Sequence, residues 1–122
     1  MGLHRTRYRD IIPFVTRDGS TVRELMHPAV HGNRAQSLAE AQVQPGARTR
    51  LHRHHRTEEL YYFLAGNGSM ELGGERFEVG PGDTVHIAPG TPHALHNTGE
   101  ATLRLLCCSA PPYSDDDTEL LD

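Results

Sequence analysis

His52-Arg53-His54-His55-Arg56-Thr57-Glu58-Glu59, running into the apolar stretch 60–64, carries more information than any other part of this chain. Two histidines spaced i and i+2 on a strand point to the same face, roughly 6–7 Å apart along the backbone. His52 and His54 are therefore close enough to share one metal ion. Carboxylates follow at Glu58 and Glu59, and a third imidazole, His93, arrives after a Pro-Gly turn. Three neutral imidazoles and one carboxylate make a site for one divalent transition metal, with Fe, Mn, Ni, Zn and Cu all compatible. No thiolate is among these ligands, so the pattern is not that of a closed structural zinc knot. In an octahedral ion, four such ligands leave two positions for substrate, water or dioxygen.

Working outward, the chain has 122 residues, enough for one domain with one core. With 12 Gly and 8 Pro it suits many short strands joined by tight turns better than long helices. A strand over 11–15, broken by Pro13 and so placed at an edge, is followed by an Asp18-Gly19 turn and a second strand over 21–26. Further strands are expected over 36–44, 50–54, 60–65, 69–72, 75–79, 84–87, 93–97 and 102–108, with Asn67-Gly68, Gly73-Gly74, Gly80-Pro81-Gly82 and Pro89-Gly90 as turns. No helix is convincing. Strands at this spacing predict an all-β antiparallel sandwich or barrel. Residues 1–9 read as a loose N-terminal arm, 36–108 as the core barrel, and the acidic tail 111–122 as disordered or as a strap across the domain, all within a single domain 1–122.

Composition excludes several function classes. A net charge of −4 argues against a nucleic-acid binder. No apolar run approaches the ~20 residues that a membrane helix needs, and residues 1–10 lack the apolar segment of a signal peptide. Cys107 and Cys108 are neighbours that point to opposite faces of a strand, which disfavours a mutual disulfide. Free thiols in a chain without a leader lead to the expectation of a cytoplasmic protein.

Two sub-patterns now fall into register with a known family. Gly46, His52, His54, Glu59 and Gly66 have the spacing of the first cupin motif, and Gly82, Gly90, His93 and Asn97 that of the second. One position departs: Ala88 stands where the motif has Pro, and Pro89 falls one residue later. The chain thus resembles the small single-domain, metal-binding members of the cupin superfamily. The resemblance implies a double-stranded β-helix, the jelly-roll cupin barrel, with the metal in its mouth, and often a homodimer. It implies the ligand set His52, His54, Glu59 and His93, with Glu59 preferred to Glu58 because it alone has six residues before Gly66. It does not imply a reaction, since one fold hosts many chemistries.

Side-chain parity supplies the remaining candidates. Glu59, Tyr61 and Phe63 share one face of their strand. Glu59 is a candidate base as well as a ligand, Tyr61 a candidate proton donor near the metal, and Phe63 a candidate wall of the substrate pocket. Arg48 and Arg50 share parity with His52 and could fork onto a substrate carboxylate or phosphate, although solvent-facing positions are the commoner fate of strand arginines. Either Gln42 with Glu40, or the row Ser37, Ala39, Ala41 and Val43, must look into the barrel; parity alone does not choose. Cys107 is a candidate cavity thiol or a small core side chain, with Cys108 on the other face. His55, His86 and His96 are expected outside the ligand set.

The functional expectation is a metal-dependent enzyme acting on a small polar molecule, the metal serving as Lewis acid or dioxygen-binding centre. Dioxygenation, decarboxylation, and isomerisation or cyclisation in natural-product assembly are the reactions to consider. A non-catalytic metal or metabolite binder, sensor or accessory protein, is the alternative. A further one comes from the family: zinc cupins fused to a synthetase-like module rearrange amino-acid esters into hydrazines, which here would need a separate partner. The homodimer that the resemblance implies has a physical motive: the outward row Leu60, Tyr62 and Leu64 and the N-terminal strand need cover.

Overall fold

A computed structural model describes residues 5–122. Eleven strands in chain order build it: β1 (Phe14–Val15), β2 (Thr21–Met26), β3 (Ser37–Val43), β4 (His52–His54), β5 (Glu58–Ala65), β6 (Gly68–Leu72), β7 (Glu75–Val79), β8 (Thr84–Ile87), β9 (His93–His96), β10 (Leu103–Ala110) and β11 (Thr118–Leu120). Two single 3-10 turns, Tyr8–Asp10 and Asp115–Asp117, are the helical elements among the described residues. The strands form two antiparallel sheets, one of six in the order β1-β2-β3-β10-β5-β8 and one of five in the order β11-β4-β9-β6-β7. This is the antiparallel barrel that the turn spacing predicts, in the double-stranded β-helix form that the resemblance implies. No described helix is long and apolar enough to cross a membrane.

Alternation along the strands builds the interior. On β5 the odd residues Glu59, Tyr61 and Phe63 are buried while Leu60, Tyr62 and Leu64 are exposed. Phe63, Met70, Leu103 and Leu105 have no exposed surface and centre the apolar core. Burying each is worth roughly 1.5–3 kcal/mol. The β5–β6 turn needs Gly66: its φ is +86°, and a Cβ there would lie 2.7 Å from the Thr102 carbonyl oxygen and 2.9 Å from Leu103 Cα. Asn97 is fully buried and donates from Nδ2 to the carbonyls of Val43 and Ala101, both at 2.8 Å, which ties the β9–β10 loop to β3. Two of the motif positions are thus structural.

Several boundaries differ from the sequence expectations. The strand expected over 50–54 begins only at His52, and that over 102–108 runs on to Ala110. Residues 1–4 of the expected loose arm lie outside the described residues. The rest is tied down: Thr6 donates to the Leu25 carbonyl at 2.8 Å and the Tyr8 hydroxyl to Glu40 at 2.8 Å. The acidic tail is a strap, because β11 pairs antiparallel with β4, Thr118 opposite His54 and Leu120 opposite His52. The barrel therefore extends past 36–108, with β2 pairing on one side and β11 on the other.

Candidate metal centre

Strand register brings the three histidines together. His52 and His54 point inward from β4, and His52 pairs directly with His93 at the start of β9. The Pro89-Gly90 turn before His93 is clamped to the same strand, since Gly90 N–H donates to the His54 carbonyl at 2.6 Å. All three imidazoles are buried, with ring centroids 4.2 to 5.5 Å apart. One ring nitrogen from each lies within 4.8 Å of the others. Glu59 enters from the opposite sheet, its Oε1 3.0 Å from His54 Nε2 and 3.3 Å from His93 Nε2.

The hydrogen bonds fix which nitrogen faces the centre. His52 Nδ1 is 2.8 Å from the Arg50 carbonyl and His93 Nδ1 is 2.9 Å from that of Thr91. His54 Nδ1 is 3.0 Å from Thr118 Oγ1, whose own proton goes to the Ser114 carbonyl at 2.9 Å. A carbonyl, or a hydroxyl already donating, can only accept, so each Nδ1 carries a proton, and each ring in its neutral form turns an Nε2 lone pair inward. Outer acceptors of this kind orient ligating histidines in metal sites. The Ser109 hydroxyl donates to Glu59 Oε2 at 3.1 Å, directly across the β10–β5 pair. Glu59 Oε1 and His93 Nε2 are left buried without a hydrogen-bond partner. A carboxylate oxygen and the Nε2 atoms of neutral imidazoles converging on one point fit a cation, and the N,N,N set suits a divalent transition metal.

Electrostatics follow the same geometry. Burial pushes the Glu59 carboxyl up, but with a proton rather than a metal at the centre the Nε2 donors of His54 and His93 outweigh it and hold the group far below the usual carboxylate range. Burial alone would lower His54, yet Glu59 raises it. His52, desolvated and facing His93, is lowered. Burial, with the Glu59 charge next, pushes both the Tyr61 hydroxyl and the Cys107 thiol well up, so both stay protonated at neutral pH.

A cavity of about 60 Å³ adjoins the His52 and His54 imidazoles, room for about four to six water-sized positions at roughly 10–15 Å³ each. Tyr61 and Cys107 line it, as do the apolar row Ala39, Ala41 and Val43 of β3 and the Tyr113 ring of the strap. Cys108 faces away, its Sγ 3.4 Å from Gln36 Oε1.

Four expected pocket residues lie elsewhere. Phe63 is one step deeper on β5 than Tyr61 and is sealed in the core. Arg48 and Arg50 precede β4, so strand parity with His52 does not reach them. Arg48 forms an isolated bridge with His96 beside a separate groove, and Arg50 pairs with Asp122 at the surface. Gln42 is on the outer side of β3 because the apolar row turns inward; its amide reaches Glu40 at 3.1 Å, in a cluster with Arg104 and Tyr8. His55 and His86 pair with surface carboxylates, Glu119 and Glu58.

Sequence reasoning missed Asp18, Ser109 and Thr118. Ser109 lies one residue past the expected strand end, and Thr118 in a tail with no strand signal. Asp18 reads in the sequence as a turn residue, yet its Oδ2 is 3.7 Å from His52 Nε2 at the cavity edge.

Fold and site together define a β-helix barrel with a polar, three-histidine mouth. Residues 39–109 match the cupin domain family, and the chain belongs to it. An uncharacterised protein of Methanocaldococcus jannaschii is 51% identical over 122 residues, covering 100% of this chain and 98% of that one. The oxalate-binding protein of Thermotoga maritima is 32% identical over 84 residues, 69% of this chain and 65% of that protein. Among solved structures, the polyketide cyclase RemF from Streptomyces resistomycificus superposes with a TM-score of 0.82 at 25% identity, covering 98% of this chain and 86% of that one.

Proposed function

We propose that this cupin is a metal-dependent enzyme acting on a small polar molecule, with His52, His54, His93 and Glu59 as the ligands of one divalent transition metal. The observation that carries the reading is the convergence of three imidazoles protonated on the outer nitrogen, with Glu59 Oε1 3.0 and 3.3 Å from two of their inner nitrogens. When bound, the metal supplies Lewis acidity or a dioxygen-binding centre.

The protein's own residues narrow the reaction. Tyr61, buried beside His93 with the two ring centroids 5.9 Å apart, keeps its proton and can donate a hydrogen bond to a molecule in the cavity. The apolar row of β3 packs the body of that molecule, and Ser109 keeps Glu59 oriented. Of dioxygenation, decarboxylation and isomerisation or cyclisation, a hydrogen-bond donor that keeps its proton and can hold a substrate oxygen suits the last pair. The likeness to a polyketide cyclase supports the same choice. A second reading, non-catalytic binding, is favoured by the oxalate-binding relative.

The test is reconstitution of the stripped protein with each metal, followed by incubation with diketones, phenols, hydroxy acids and nucleosides. Product formation is read by mass spectrometry and oxygen uptake by electrode. Turnover without oxygen uptake, lost in Tyr61→Phe while metal content is unchanged, is the expected result. Saturable binding without turnover across the panel supports the binder instead. A homodimer is part of the same proposal. Leu60, Tyr62 and Leu64 are exposed, with Leu38 on the same outer face two strands away, and light scattering at twice the chain mass is expected.

A further inference from the structure

We propose that Asp18, in the β1–β2 turn, sets the charge of the molecule the cavity accepts: a small neutral or amine-bearing molecule that donates an N–H or O–H to its Oδ2, not a dicarboxylate. The inference rests on the metal-centre reading above and deepens it.

Asp18 is held for this position. Its Oδ1 accepts from Thr16 Oγ1 at 2.6 Å, Ser20 N at 2.8 Å and Ser20 Oγ at 2.7 Å. Those three donors saturate one oxygen and leave Oδ2 directed at the His52 edge of the centre, 3.7 Å from Nε2. The turn alone needs only the first oxygen. The side chain is 16% exposed and lines the cavity. Its charge acts on groups all around that space, from His52 and His54 to Tyr61, Cys107 and Tyr113.

The rest of the lining points the same way. Asp18, Glu24 and Glu59 are three acidic side chains, the Glu24 carboxyl pushed up by burial, and no Lys or Arg is among the described residues that line the cavity. Glu24 Oε1 is buried without a hydrogen-bond partner, as are Glu59 Oε1 and His93 Nε2 at the centre itself. Glu59 and Asp18 together neutralise a divalent ion. A dicarboxylate would then bring two further negative charges into a site with nothing to offset them, whereas an amine or hydroxyl finds acceptors waiting. The Arg48 and Arg50 side chains, which would have served an anion, lie outside.

The experiment compares wild type, Asp18→Asn and Glu24→Gln, each loaded with the same metal and checked for occupancy by elemental analysis. Oxalate and ethanolamine are then titrated calorimetrically. Asn at position 18 keeps an acceptor for Ser20, so the turn is retained, and circular dichroism checks it. Asp18→Asn is expected to bind oxalate roughly tenfold more tightly than wild type and ethanolamine roughly tenfold more weakly. Glu24→Gln shifts each probe the same way as Asp18→Asn does, oxalate tighter and ethanolamine weaker, but by less, and carries the test if Asp18→Asn misfolds. Oxalate and ethanolamine affinities unchanged in the folded variants overturn the inference. Absence of metal after loading overturns the centre itself, and this inference with it, before any probe is added.

Discussion

At one end of the sandwich Phe63, Met70, Leu103 and Leu105 are fully buried against one another; at the other, His52, His54, His93 and Glu59 are buried almost as deeply and leave polar atoms unpaired. The two ends share strands. Along the β5–β10 pair, Glu59 faces Ser109, then Tyr61 faces Cys107, then Phe63 faces Leu105. Each step of two residues keeps the same face and trades polarity for apolar bulk. One rule of alternation thus builds both regions. The apolar end supplies stability, which lets the polar end hold unsatisfied acceptors that a marginal core could not support.

The comparison breaks most visibly at the packed end. Phe63→Ala should cost about 3–5 kcal/mol of unfolding free energy, measured by denaturant titration of the metal-free protein, and should change metal affinity little. A loss of metal affinity as large as the loss of stability would mean the two ends are one unit. Next, Glu59→Gln or His93→Ala should weaken metal binding by more than the roughly 10–100-fold typical of groups that merely orient ligands, read by competition with a chelator. Below that, Ser109→Ala and Thr118→Val should each fall within that 10–100-fold range, because they leave the ligands in place and remove what orients them; unchanged affinity would deny those hydroxyls any role.

The smallest effect belongs to Asp117, which accepts backbone N–H bonds from Arg56 and Thr57 at 3.0 to 3.2 Å and so shapes the loop between His54 and Glu59. Burial raises its carboxyl, but those donors win and hold it below its ordinary 3.8. A carboxyl lowered on folding stabilises the protein above the unfolded value and loses that contribution as pH falls through the folded one. Asp117→Asn should therefore cost about 1 kcal/mol at neutral pH, and the gap to wild type should close in acid below pH 3.8. A gap that persists undiminished in acid would mean the charge is not what matters.

Much of this arrangement was legible in the sequence because turns and alternation are local. The i, i+2 pair His52 and His54, the glycine-bounded turns and the odd-numbered face of β5 all follow from short-range rules. Sheet order is not local. Nothing near Thr118 signals that the tail returns to pair with β4 and anchor His54, and nothing near Asp18 signals that its turn folds over the mouth. Parity also fails where a strand has not begun, which is why Arg48 and Arg50 lie outside. On β3 the choice between the two rows needed the neighbouring strands, and the apolar row won because it packs against β10 residues such as Leu105.

The most direct measurement is a metal titration of the stripped protein beside His52→Ala/His54→Ala, with folding followed by circular dichroism. The account predicts one divalent transition metal per wild-type chain, and a double variant that keeps its β-sheet signal but retains no ion. A wild-type chain that binds none, or a double variant that binds as well, would contradict it.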